Sequence, residues 1–190
     1  MFLLRTYASA QMPMRSAQIV TRSSHLFSLA LLLLAAIAAA PPLASQGPSA
    51  RTFVNVGAIP SLVAFRLAPS GVSTGSNPVS VTTLWRLRRG NVLTLYAYFT
   101  NPPKALTSGG AGSISSANVS GTDSSGRFLP FTGSGPFSTG GSLTIYQLRI
   151  QGGNRQGTRT DAVALKIDTT GLQLGPGVYG GTLVIHADAF

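Results

Sequence analysis

The sequence contains no cysteine and no glutamate, and its four acidic residues are all aspartates. The missing cysteines exclude a disulfide framework, a thiolate metal site and a cysteine nucleophile. Few charged residues and no glutamate also argue against a long amphipathic helix or coiled coil, because such helices are rich in Glu and Lys. The chain is nevertheless 44% hydrophobic over 190 residues, so we expect it to fold.

The first 45 residues have the pattern of an export signal. Three arginines and no acid precede a uniformly apolar run at residues 26–40, LFSLALLLLAAIAAA, which ends before Pro41 and Pro42. A basic region, an apolar stretch and small residues describe a secretory signal, and the apolar run is shorter than the roughly 20 residues that span a bilayer. We therefore predict a signal peptide at residues 1–45, helical over its apolar run. Cleavage could follow Ala38 or Ser45, and Ser45 is preferred because both prolines then lie in the removed segment.

The basic region of this signal is long, and Met12 and Met14 both lie inside it. We hypothesise that translation starts at one of these two methionines. Cleavage after residue 45 would leave residues 46–190 as a single domain that is secreted, periplasmic or at the cell surface. An uncleaved segment is the alternative, and it would be the protein's one contact with a membrane.

The rest of the chain alternates apolar and polar residues with period two, and Gly, Pro, Asn and Ser clusters interrupt the alternation. This pattern predicts short strands and turns. The predicted strands lie at residues 52–56, 62–67, 79–87, 92–100, 113–120, 127–131, 143–150, 162–168 and 181–189. A change of phase near Tyr146 predicts a β-bulge there. Regular short strands with such turns are typical of a β-sandwich or barrel.

Two of these segments, residues 79–87 and residues 92–100, can be aligned as a hairpin. A three-residue loop centred on Gly90 pairs Leu87 with Leu93 and keeps both apolar sets on one face. A two-residue loop would mismatch those faces, and a slip of one residue turns every side chain over. Gly90 also suits the positive φ that three-residue hairpin loops require.

The same register places two arginines and two tyrosines together on the opposite side of the hairpin. They are Arg86, Arg88, Tyr96 and Tyr98. Exposed Arg and Tyr side chains are enriched at binding surfaces, and Arg pairs with carboxylates and sulfates. These four residues form the candidate binding face, whose expected ligand is an anionic polysaccharide or other envelope polymer. The alternative is cross-strand packing that only stiffens the sheet.

The end of the chain, LQLGPGVYGGTLVIHADAF, resembles the last hairpin of bacterial secreted immunoglobulin-like sandwiches, among them fimbrial pilin-like and spore-coat-U-like subunits. In those families a Pro-Gly or Ala-Gly turn and a tyrosine introduce the terminal strand. Gly177 and Tyr179 match that turn. Tyr179 resembles the tyrosine corner of such sandwiches, which implies that its hydroxyl bonds the backbone of the nearby turn. Gly177 is the fourteenth residue from the end, as in pilin-like subunits, but Phe190 is last rather than next to last.

This resemblance covers about the last 20 residues. It implies a structural or adhesive protein whose partner is a second copy or another β-sandwich subunit, joined by strand addition at a sheet edge. The assembly ending would then be Gly177, Tyr179 and Phe190, and residues 52–67 are the expected second assembly segment. Many pilin-like subunits carry a disulfide, which this chain lacks.

No set of residues predicts catalysis or a cofactor. His186 and Asp188 alternate on one strand face about 7 Å apart, which is too far for a direct hydrogen bond and predicts a solvated pair. No Gly-x-Ser-x-Gly elbow, metal-ligand spacing or phosphate loop is present. Asp123 lies in a Gly- and Ser-rich segment, where its side chain is expected to bond the backbone two residues on. A secreted hydrolase is therefore the weakest alternative.

Basic residues exceed acids by ten in the whole chain, and by seven once residues 1–45 are removed. Only residues 86–89 and 155–159 cluster them in sequence. Such a charge attracts polyanions at low salt and also keeps a protein soluble, and no nucleic-acid-binding motif is present.

Taken together, these patterns predict an all-β protein, an immunoglobulin-like β-sandwich of roughly 7–9 antiparallel strands after an N-terminal signal helix. We expect the protein to be exported and non-enzymatic, with no cofactor or metal.

Overall fold

The computed structural model describes residues 3–10, 51–110, 112–137 and 140–190. Within these residues the chain forms strands and two short 3₁₀ helices, at Pro102–Lys104 and Ser116–Asn118. The strands follow in chain order as β1 (Leu3–Ala10), β2 (Phe53–Ile59), β3 (Leu62–Val63), β4 (Val72–Thr74), β5 (Val79–Arg86), β6 (Val92–Phe99), β7 (Leu106–Ser108), β8 (Gly112–Ile114), β9 (Val119–Thr122), β10 (Phe128–Pro130), β11 (Ser142–Arg149), β12 (Gln156–Val163), β13 (Leu165–Asp168) and β14 (Gly180–Ala189). The prediction of an all-β chain is confirmed for the described residues.

The strands pair in three sheets. The largest has the order β11-β6-β14-β1-β3, with β7 and β8 attached beside β14; the other two have the orders β10-β9-β13-β4 and β12-β5-β2. Every pair of strands within residues 51–190 of the described chain is antiparallel. The exception to the predicted antiparallel arrangement is β1, which runs parallel to β14.

The described strands are more numerous than the predicted seven to nine, because β1, β4 and β7 lie outside the predicted strands and the predicted strands at residues 113–120 and 162–168 are each divided in two. The chain before and after Gly75 forms β4 and β5, and the chain before and after Ala164 forms β12 and β13. Strand β4 pairs with β13, and β5 pairs with β12. The segment that contains β4 and β5 therefore runs beside the segment that contains β12 and β13, and both pass from one sheet into another. A hydrogen bond from the Gly75 N–H to the Leu165 carbonyl, 2.9 Å long, joins the two segments where they pass between the sheets.

Alternation along the strands builds one buried core. Strand β5 buries Val79, Val81 and Trp85, and β6 buries Leu95 and Phe99. The inward-facing residues of all three sheets belong to a single apolar cluster. Each fully buried large apolar side chain contributes about 1.5–3 kcal/mol of transfer free energy, so this cluster is the main source of stability. The predicted core faces of both strands are confirmed.

The predicted hairpin between these two strands is wrong. Strand β5 pairs with β2 and β12, whereas β6 pairs with β11 and β14 in a different sheet. Between them the Leu87 N–H donates to the Arg155 carbonyl over 2.7 Å, and the Val92 N–H donates to the Phe190 carbonyl over 2.6 Å. The apolar faces of β5 and β6 therefore contribute to the same core from different sheets. Period-two alternation shows only that one face of a strand is buried, and it does not show which strand lies beside it.

Two further predictions concern β11 and the signal segment. The register between β11 and β6 shifts between Thr144 and Tyr146, which confirms the predicted β-bulge. The apolar run at residues 26–40, the cleavage site after Ser45 and both alternative start methionines lie outside the described residues. Residues 3–10, which belong to the basic region of the predicted signal peptide, form strand β1.

Candidate functional site

Strand β14 is flanked by β6 on one side and by β1 on the other. Strand β1 runs parallel to β14, with Leu3 beside Gly180 and Ala10 beside Ala187. On its far side β1 pairs antiparallel with β3, where Leu4 lies beside Val63. Strand β1 therefore fills a gap one strand wide between β14 and β3. Two strand spacings of about 4.8 Å would separate those flanking strands.

The turn that leads into β14 is held by Tyr179. Its hydroxyl donates a hydrogen bond of 3.0 Å to the Gly175 carbonyl, and its ring is buried. The predicted link between this tyrosine and the backbone of its own turn is confirmed. Gly177 lies exposed in the turn before β14. Phe190 follows β14 with its side chain 69% exposed, and its backbone exchanges hydrogen bonds with Val92.

A buried polar pair lies on the opposite side of β14 from its core-facing residues. The Nε2 atom of His186 and the Oδ1 atom of Asp188 are 2.7 Å apart, and the two residues are 2% and 9% exposed. The rings of Tyr98 and Phe137 lie 6.4 and 5.3 Å from the imidazole. The prediction of a separated, solvated pair is wrong, because side chains two apart on one strand face can lean together and the neighbouring rings limit their contact with water.

The His186–Asp188 pair lies beside Tyr98 and affects the pKa of that tyrosine. Burial, and secondarily the Asp188 carboxylate, raise the pKa of the Tyr98 hydroxyl above its usual value. The Nδ1 atom of His186 has no hydrogen-bond partner in the part of the chain that the structure describes. A Ser-His-Asp mechanism needs a nucleophile bonded to the second imidazole nitrogen, so the described residues do not complete one here.

The other aspartates lie in local contacts of their own. Asp168 accepts a hydrogen bond from the Thr170 N–H over 2.9 Å, and bonds to Thr170 lower its pKa. Asp123 accepts a bond from the Ser125 N–H over 2.8 Å, which confirms its predicted role in the turn. Hydrogen bonds from Ser125, and then from Arg127, hold the pKa of Asp123 far below its usual range. Both carboxylates stabilise turns rather than converge on a cleft.

The four residues of the candidate binding face do not share one surface. Arg86 and Arg88 are exposed at the end of β5 and just beyond it, and the Gln156 side chain lies near Arg86. Tyr96 and Tyr98 are half-buried on β6, in the largest sheet. The predicted face depended on a β5–β6 hairpin, and it is lost because those strands lie in different sheets.

The edge strand β12 carries an ion pair on its inward-facing side. Arg159 and Asp161 form a bidentate pair with contacts of 2.8–3.0 Å, and Asp161 is buried while Arg159 is partly exposed. The guanidinium of Arg159 lies 4.5 Å from the centre of the Tyr146 ring on β11. Inward charges on edge strands discourage pairing with another chain, because a partner strand would have to accommodate them.

Sequence reasoning missed most of β12, and with it this ion pair. The predicted strand begins at residue 162, whereas β12 begins at Gln156 and places Gly157 opposite Trp85. Charged Arg159 and Asp161 occupy the alternate positions that normally carry apolar side chains, so the strand has no apolar periodicity before Val163. The hydroxyl alternation of Thr158 and Thr160 was the available signal, and the two lie on the exposed face.

Among the described residues, no group of three or more His, Asp, Glu or Cys side chains could hold a metal ion. In that same part of the chain, no helix is long and apolar enough to cross a bilayer. No protein-family model and no curated protein matches the sequence. The geometry of β14, of its neighbouring strands and of the surface arginines is therefore the basis for assigning a function.

Proposed function

We propose that this protein is an exported, non-enzymatic subunit with an immunoglobulin-like sandwich fold and a structural or adhesive role, which associates by strand addition beside β14. The observation that carries the proposal is that β1, a part of the predicted signal peptide, occupies the gap between β14 and β3. Cleavage after Ser45 would remove β1 from the mature chain. The gap would then be open for an extended segment of another subunit.

The energetic argument rests on backbone hydrogen bonds. Strand β1 is in register with β14 over eight positions, from Gly180 to Ala187. Without β1, the N–H and C=O groups of β14 that face it would lose their partners. A backbone hydrogen bond that replaces a bond to water contributes a net of about 0.5–1.5 kcal/mol, so a strand from a second copy would stabilise this edge.

Two of the other sheet edges, those formed by β11 and β12, favour this assignment. Strand β12 carries the inward Arg159–Asp161 pair, and β11 carries the bulge before Tyr146. Inward charges and bulges are both devices that prevent edge-to-edge association. Residues 52–67, the expected second assembly segment, contain β2 and β3 of the same fold, and β2 pairs with β5 over seven positions. A strand donated from there would break those pairs, so we no longer expect it to be the donor.

The strand order supports the sandwich assignment. Strands β5 and β6 are consecutive in the chain but lie in different sheets, and β14 returns beside β6. Crossing between sheets after a strand is typical of Greek-key sandwiches. The Tyr179 bond to Gly175 is the local feature shared with the tyrosine corner of that class.

The proposal is tested with a chain that starts at residue 46 and a peptide copy of β1, LLRTYASA. We expect the shortened chain to form oligomers at both low and high salt in size-exclusion chromatography with light scattering. The peptide should dissociate them and raise the melting temperature. At a hundredfold excess over Kd, the linkage stabilisation is about 2.7 kcal/mol, or about 5–10 °C for a domain of this size.

A scrambled peptide of the same composition is the matched control and should have no effect. A strictly monomeric shortened chain whose melting temperature ignores the native peptide would refute strand addition beside β14.

The alternative function, recognition of an anionic polysaccharide through one Arg/Tyr face, required four residues to share a surface. Its tyrosines and arginines are separated between two sheets. Arg86 and Arg88 nevertheless lie beside further arginines at one end of the three-stranded sheet.

A further inference from the structure

Five arginines from two distant segments of the chain, residues 86–89 and 149–155, lie at one end of the fold. Arg86 is the last residue of β5, and Arg88 and Arg89 follow it in the connection to β6. Arg149 is the last residue of β11, and Arg155 directly precedes β12. We call these five residues the arginine end.

Backbone hydrogen bonds hold the two segments of the arginine end together. The Leu87 N–H donates to the Arg155 carbonyl over 2.7 Å, and the Gly90 N–H donates to the Ile150 carbonyl over 2.9 Å. The indole N–H of the buried Trp85 donates to the Asn154 carbonyl over 2.9 Å. The arginines are therefore attached to a backbone that is fixed to the core, which lowers the entropic cost of ordering them around a ligand.

The positive charge of the arginine end is not balanced by described carboxylates. All five arginines are exposed, and none takes part in an ion pair within the described residues. The described ion pairs instead involve Arg127, Arg159 and His186. A cluster of exposed like charges repels itself, so an anionic ligand would be attracted to it.

A shallow surface cavity of about 500 Å³, wide open to solvent, lies between two of these arginines. Arg89 and Arg149 line it together with Gly90, Ile150, Gln151 and Gly152. The volume falls within the range of about 300–1,000 Å³ that is usual for ligand sites. The lining offers two guanidinium groups and the amide of Gln151, and it contains no aromatic ring.

We propose that the arginine end binds an anionic polysaccharide. Guanidinium groups pair with carboxylates and sulfates through two parallel hydrogen bonds, and the Gln151 amide can bond sugar hydroxyls. Single-stranded nucleic acid needs aromatic side chains for its bases to stack on, and the lining has none. Arginines on both sides of the cavity and in both segments fit a polymer with repeated charges. This site is distinct from the gap beside β14, so it stands or falls independently of strand addition.

The test compares two charge-matched variants of the full chain. The Arg89→Gln, Arg149→Gln variant removes both cavity arginines. The Arg66→Gln, Lys104→Gln variant removes the same charge from exposed positions outside the arginine end. Affinities for polygalacturonate, heparin, neutral dextran and poly(dT) are measured by titration calorimetry at low and high salt, and thermal melts check that both variants fold.

We expect both anionic polysaccharides to bind and dextran not to bind. The cavity variant should lose about tenfold in affinity, because each exposed charge pair contributes up to about fivefold. The control variant should lose less than about twofold, and higher salt should weaken the polysaccharide binding. Equal losses in the two folded variants would show that net charge alone attracts the polymer, and would overturn the proposal. Tighter binding of poly(dT) than of either polysaccharide would overturn the ligand assignment.

Discussion

Replacing Asp161 with alanine is expected to destabilise the fold by about 1–2 kcal/mol. Breaking a fully buried ion pair costs about 3–5 kcal/mol, and breaking an exposed one costs about 0.2–1 kcal/mol. The Asp161 side chain is 7% exposed and that of Arg159 is 38% exposed, so water can partly solvate the guanidinium left behind. The expected cost therefore lies between the two limits, and corresponds to about 3–6 °C in melting temperature.

The double variant Arg159→Leu, Asp161→Val separates stability from edge protection. Because both charges are removed, its stability should return to within about 1 kcal/mol of the parent. Its β12 edge, however, no longer has inward charges, so we expect concentration-dependent self-association. Urea unfolding of the single variants Arg159→Leu and Asp161→Val and of the double variant gives the coupling energy, expected at about 1–2 kcal/mol. Light scattering over a concentration series gives the association state.

The exposed pair between Arg127 and Asp123 provides the comparison. Its arginine side chain is 73% exposed, so Arg127→Ala should leave the melting temperature nearly unchanged. Two results would refute the role assigned to the inward pair. One is an unchanged melting temperature in Asp161→Ala, and the other is a double variant that stays monomeric at every concentration.

Two further predictions concern packing and pH. Gly157→Ala should destabilise by about 1–3 kcal/mol, because its new Cβ would lie 2.6 Å from Cζ2 of the buried Trp85. Gly57 lies on β2, the strand on the other side of β5, and no atom lies within 4 Å of a Cβ added there. Gly57→Ala should therefore be neutral or slightly stabilising. Tyr146→Phe should reduce the loss of stability at alkaline pH. Burial raises the folded pKa of Tyr146, so its contribution is full below about pH 10 and is lost as pH rises through the folded value.

Urea unfolding at neutral pH measures the glycine variants, and equal stability of the two would contradict the clash with Trp85. The tyrosine variant is measured at neutral pH and above pH 10. Tyr98 also has a raised pKa, so part of the alkaline loss should remain after Tyr146→Phe. An unchanged alkaline loss in that variant would contradict the role assigned to the buried phenol.

The core faces of the strands could be predicted because alternation is a local property. Val81 and Trp85 on β5, and Leu95 and Phe99 on β6, are all buried as their spacing indicated. The neighbour of each strand could not be predicted in the same way. An apolar face meets the core equally well in any of the three sheets, and the hydrogen bonds of Leu87 and Val92 go to residues distant in sequence.

Local chemistry was equally predictable at the turns and at the bulge. The Asp123 turn, the Tyr179 hydroxyl bond and the bulge before Tyr146 depend on a few neighbouring residues, and each was predicted. The contact between His186 and Asp188 was not predicted. Ideal strand geometry separates alternate residues, whereas the actual side chains lean together under neighbouring aromatic rings.

The sequence by itself determined which side chains of most strands face the core, where several turns lie and that the part of the chain described by the structure is all-β. These properties depend on period two and on the backbone preferences of a few adjacent residues. Only the tertiary structure decided that β5 and β6 lie in different sheets, that β1 lies beside β14 and that five arginines lie at one end of the fold. Each of these depends on hydrogen bonds and packing between segments far apart in the chain, which no local pattern records.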